Sequence, residues 1–189
     1  MTAAAFTFDA SRPGASVSVC AGRLLLLAGS VFGAANLVQW GVLGGALDLH
    51  PVFLGLNWAI AVGVFMSGLV RLRRIGGEAA RGVAGWSRAF LLSLVGVALA
   101  LAAVSYMAGD WGLMRWNSAA GLILYAAGWG IASVRTGTPN MGALSLVALG
   151  GAAAGALRFG TPDQHLIQAC TLALAALLPG LWLAFGRRL

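Results

Sequence analysis

Asn36-Leu-Val-Gln39-Trp40, Asp48-Leu-His50-Pro51, Asn57-Trp58 and Arg71-Leu-Arg73-Arg74 mark out the stretch of the chain that decides its fold. The residues between these landmarks are almost all apolar. An apolar limb, a polar tip with an acid, and a second apolar limb ending in arginines spell a hairpin that crosses a membrane twice. A crossing helix needs roughly 20 mainly apolar residues to span the ~30 Å hydrocarbon layer.

Working outward from this hairpin, six segments have that character, near 24–46, 52–70, 87–107, 118–134, 141–157 and 166–185. The fourth and fifth are short and are separated by Thr136-Gly137-Thr138-Pro139-Asn140, a cluster that breaks helices and favours a tight turn. They read as two spans or as one re-entrant pair. The expected fold is therefore all-α: a polytopic integral membrane protein with a six-helix transmembrane bundle over 23–189. Residues 1–22, with Asp9, Arg12 and Pro13, read as a flexible cytoplasmic tail. Arg23-Leu-Leu-Leu-Leu-Ala-Gly-Ser resembles a short signal peptide, but the apolar run continues to Leu47, so the segment reads as a retained first span.

Composition points the same way. Of 189 residues, 60% are hydrophobic and 9% charged, too little charge for a soluble surface. The net charge of +7 would favour nucleic acid in a soluble protein, but the arginines fall at the ends of apolar runs. There they set orientation, because cytoplasmic loops collect basic residues. With the N-terminus inside, Arg12, Arg23, Arg71, Arg73, Arg74, Arg81, Arg88, Arg135, Arg187 and Arg188 share the inner side, against Arg115 and Arg158 outside. Both termini are then cytoplasmic, and the expected location is the cell's inner membrane. Asp48, Asp110 and Asp163 fall at the three outer tips, which hints at a hairpin repeated three times.

The stretch from Arg71 to Arg88 is the longest between spans. Arg74, Arg81 and Arg88 recur every seven residues and could line one side of a surface helix, but Gly76, Gly77, Gly82 and Gly85 oppose one. An irregular loop results, with Arg71, Arg73, Arg74, Arg81 and Arg88 available to anionic lipid. Within the bilayer, helices associate by close packing, so small residues four apart are expected at contacts: Gly29 and Gly33, Gly63 and Ser67, Gly96 and Ala100, Ala126 and Gly130, Gly151 and Gly155. Pro179-Gly180 should kink the last span.

No charged residue lies in the middle of a span, which argues against a pump driven by a buried carboxylate. Neutral polar residues gather in the outer half instead. Asn36 and Gln39 on the first span, His50 and Asn57 on the second, and His165 and Gln168 on the sixth form an outward pocket for a solute if their faces converge. Otherwise they are hydrogen-bonding glue between helices. His50 and His165 at similar depth are also candidate ligands for a metal ion or haem. Cys20 and Cys170 lack metal-ligand spacing. The sequence carries no nucleophile elbow, zinc-protease motif, phosphate loop or Cys-x-x-Cys, so it leans away from an enzyme.

Two functions follow as expectations. One is transport: a small carrier, or the substrate-binding membrane subunit of a transporter. The other is a non-catalytic subunit or assembly factor of a larger membrane complex, holding a haem or pigment through His50 and His165. Partner membrane subunits or a homo-oligomer fit either function.

Overall fold

A computed structural model describes residues 17–50, 52–75 and 77–186. Every regular element among them is helical: α1 (Val17–Leu43), α2 (Val52–Ile75), α3 (Gly77–Ala108), a 3₁₀ turn (Trp111–Arg115), α4 (Trp116–Thr136), α5 (Pro139–Leu157), α6 (Asp163–Leu172), a π-helical turn (Ala173–Leu177) and α7 (Leu178–Ala184). The last three run on as one rod. Val17–Leu43, Val52–Arg74, Arg81–Ala108, Pro139–Leu157 and Asp163–Ala184 are long and apolar enough to cross a membrane. The 21-residue α4 also has the length. The chain is thus an all-helical bundle with the character of a multi-pass membrane protein. Residues 1–16, with Arg12, and Arg187 and Arg188 at the other end lie outside the described residues.

Helix boundaries differ from the expected ones where polar residues extend a span. α1 begins at Val17, so residues 17–22 of the expected tail are helical, and Cys20 and Gly22 are buried. The expected loop between Arg71 and Arg88 is a correction. α2 continues to Ile75 and α3 starts at Gly77, so Arg81, Gly82, Gly85 and Arg88 are all helical. Each glycine weakens a helix by about 1 kcal/mol. Propensity is a weak preference that context overrides, and the helix persists through its glycines. The breaker cluster at 136–140 does form a tight turn. Gly137 caps α4 in the left-handed region (φ +67°), Thr138 is extended, and Pro139 opens α5 where a missing N–H is harmless.

α1 packs along α6, the π turn and α7, and also touches α2 and α3; α4 packs on α3, α5 and α6. The α1 and α7 backbones meet directly. A Cβ on Gly29 would lie 2.7 Å from the Leu177 nitrogen, and one on Gly180 would lie 2.6 Å from the Leu26 nitrogen. A Cβ on Gly22 would overlap the Leu183–Ala184 backbone. Gly151 likewise yields to the Thr171 side chain, and Ser145 beside Gly130 donates to the Ala126 carbonyl at 2.8 Å. Gly63 and Gly96 face open space, as does the exposed Ala100, so two of the five expected small-residue pairs are not at contacts.

The kink at Pro179 takes the form of the π turn. Proline has no N–H for the Ala175 carbonyl one turn earlier, and the Leu178 N–H reaches back five residues to Ala173. The Tyr125 hydroxyl donates to the Ala175 carbonyl at 3.3 Å and so pins α4 to the kink.

Candidate functional site

Two of the neutral polar residues of the first hairpin, Gln39 and Asn57, are used between helices. The Asn57 amide donates to the Ala35 carbonyl at 2.9 Å, and the Trp58 indole N–H donates to Gln39 Oε1 at 2.7 Å. Phe32 stacks on Trp58 at 6.3 Å and packs against Phe65. Together these contacts lock α1 to α2. His50 is exposed in the turn before α2, where its carbonyl accepts from Phe53 N–H at 2.9 Å and its Nδ1 accepts from Val52 N–H at 3.3 Å. These are capping interactions that satisfy donors left free at a helix start. Asn36 is 1% exposed and its amide donates to the Phe32 carbonyl at 2.8 Å.

The second group lies around the start of α6. Gly160 (φ +81°) turns the chain out of α5, Thr161 Oγ donates to the Arg158 carbonyl at 2.8 Å, and Arg158 approaches Asp163 at 3.9 Å. Gln164, 2% exposed, fastens this turn to a distant segment. Its Nε2 donates to the Arg115 carbonyl at 2.8 Å and its Oε1 accepts from Gly160 N–H at 3.4 Å. Trp116 stacks on Phe159 at 4.6 Å, reinforcing the same junction. Arg115 itself ends the 3₁₀ turn, which Asp110 caps by accepting from Gly112 N–H at 2.8 Å.

A partly open cavity of about 200 Å³ lies in this junction, lined by Leu43, Arg115, Gly160, Thr161, Pro162, Gln164 and His165. A Cβ on Gly160 would lie 3.2 Å from Arg115 Nη1, so the glycine gives the guanidinium room to lie across the turn. Asp163 is paired with Arg158, and Arg115 has no acid partner among the described residues. The His165 ring is half-buried, with Nδ1 out of contact with water and with no hydrogen-bond partner among the described residues.

The chain matches no family model, no curated protein and no solved structure.

Of the six residues expected to bind a solute, His165 alone lines this cavity. Gln39 and Asn57 sit at the α1–α2 contact, while His50 caps α2, and α2 makes no contact with α6. His165 and His50 therefore stand in different surroundings. Among the described residues no three His, Cys, Asp or Glu side chains gather as a metal site. Arg115 and Gln164 were not singled out by their sequence. The available signal was that Arg115 is one of two arginines on the side expected to be poor in them.

Proposed function

We propose that the chain is a membrane transport protein, or the membrane-embedded binding part of one, that takes a small organic anion into the cavity between the end of α1, the 3₁₀ turn and the start of α6. The observation that carries this reading is the Arg115 guanidinium, a cation without an acidic partner among the described residues, sharing a cavity wall with His165 and Gln164. A guanidinium matches a carboxylate with two parallel hydrogen bonds, which is the strongest recognition available in such a small site. The arginine distribution supports an orientation with both termini cytoplasmic and the cavity facing outward, in the inner membrane.

Binding of radiolabelled propionate to the purified protein in detergent tests this. Arg115→Gln should weaken it about tenfold or more, the size of one lost charge-assisted contact. Arg158→Gln should leave it unchanged. Equal binding by wild type and Arg115→Gln would refute the assignment.

A second reading, a non-catalytic subunit of a larger membrane complex, draws support from α3. Among its described residues only Ser105 is buried, and Gly82, Gly85 and Gly96 face open space. A partner helix could approach that side closely. Native mass spectrometry of gently extracted protein decides between the readings: a second subunit at fixed ratio favours the complex, and a lone chain favours transport.

A further inference from the structure

Fewer donors are free on the cavity wall than its residues suggest. Gly160 N–H donates to Gln164 Oε1, the Thr161 hydroxyl donates to the Arg158 carbonyl, and Gln164 Nε2 donates to the Arg115 carbonyl. The side chains of Leu43 and Pro162 bring no donor. Arg115 and His165 are left to meet an anion. Which nitrogen His165 offers follows from what surrounds the ring. The cavity, about 200 Å³ and partly open, has room for several waters. Nδ1 is shut off from water although His165 lines the cavity, so Nδ1 faces protein and Nε2 is the nitrogen turned to the cavity.

The proton of the neutral ring belongs on Nε2 for a related reason. On Nδ1 it would be a buried donor with no acceptor among the described residues, which folded proteins avoid more strictly than an unpaired acceptor. A second proton would have to take that same place, and would add a positive charge beside the unpaired Arg115 guanidinium. The other charges at this end of the helices are Arg158 and Asp163, which pair at 3.9 Å, Asp110, which caps the 3₁₀ turn, and Asp48 in the exposed turn after α1. α5 carries no charge, and Arg23 on α1 and Arg135 on α4 lie at the far ends of their helices. Tyr125 on α4 is engaged at Ala175, and Cys170 on α6 is exposed. Resting on the anion site proposed above, we infer that a neutral His165 is its second donor, through Nε2–H, and that the solute is a singly charged carboxylate bound without a proton. One guanidinium balances one carboxylate. A second carboxylate would find no free cation on the wall and would meet the apolar side chains of Leu43 and Pro162, which suit a methyl group instead.

The test compares radiolabelled propionate and malonate, a methyl against a second carboxylate, on the full-length protein in detergent above neutral pH. Propionate should bind about tenfold or more tightly. The amide nitrogen of glutamine reaches the place of Nε2, and that of asparagine the place of Nδ1. His165→Gln should therefore keep propionate binding, and His165→Asn should weaken it about tenfold or more, the size of one hydrogen bond to a charged group. Propionate affinity should stay level between about pH 6 and 8, where an ordinary imidazole changes charge. Malonate binding as tightly as propionate would overturn the single charge. A His165→Gln protein that binds no better than His165→Asn would overturn the Nε2 donor, and a tenfold change over that pH range would overturn the neutral ring. Each of these results leaves the anion site standing so long as Arg115→Gln weakens binding. Propionate binding untouched by Arg115→Gln overturns the site and this inference together.

Discussion

Replacing Gly180 by alanine adds a single methyl group, and the structure makes its consequence unusually direct. The new Cβ would sit 2.6 Å from the Leu26 nitrogen, 3.0 Å from the Leu25 carbonyl carbon and 3.1 Å from the Gly22 oxygen. All three are backbone atoms of α1, so no rotamer change relieves the contact. Ordinary contacts between heavy atoms lie near ~3.5–4.0 Å, so α1 and α7 must separate by about an ångström, loosening Gly22 and Gly29 along the same seam. Overpacking of this kind destabilises by about 1–3 kcal/mol. The assay is reversible unfolding in mixed detergent and SDS, followed by far-ultraviolet circular dichroism. Gly96→Ala is the control: its Cβ meets nothing within 4 Å, and alanine favours a helix over glycine by about 1 kcal/mol, so it should be neutral or stabilising. Gly180→Ala as stable as wild type would refute the backbone-to-backbone seam. A Gly96→Ala protein destabilised as much would show that glycine content, and not this contact, sets stability.

Two further outcomes follow from individual hydrogen bonds. Tyr125→Phe removes the donor to the Ala175 carbonyl and should destabilise by about 0.5–1.5 kcal/mol; adding Pro179→Ala supplies a backbone N–H and should shrink that loss in a double-mutant cycle. Trp58→Phe deletes the N–H donated to Gln39 and should cost about 0.6 kcal/mol of stability and no more than about 1.7, in line with hydrogen bonds between membrane helices. It should leave propionate binding unchanged, because neither residue lines the cavity.

The helices were legible because membrane spans are written in long apolar runs bounded by arginine, glycine and proline. The turn at Gly137-Thr138-Pro139 and the bend at Pro179 were legible for a related reason, since one residue type alone fixes the backbone there. What glycine content could not reveal was which glycines face a neighbour. Gly29 and Gly96 sit in similar four-residue patterns, yet one meets a backbone and the other open space. The helix through Gly77–Arg88 escapes a reading by propensity, a local quantity that tertiary context overrides. The cavity was half visible. His165 stood out as a polar residue near the head of an apolar run. Its connection to Arg115 depends on the start of α6 lying beside the 3₁₀ turn, a long-range register that spacing within either helix does not encode.

The helical setting of the arginines in α2 and α3 changes how this part of the protein meets the enzymes around it. Proteases bind their substrates as several residues of extended backbone, and helices must unwind before they can be cut. Arg71, Arg73, Arg74, Arg81 and Arg88 are an abundant set of cleavage points for a protease that cuts after arginine, and all five are held in helix. These arginine-rich stretches of α2 and α3 therefore offer such an enzyme little backbone to grip.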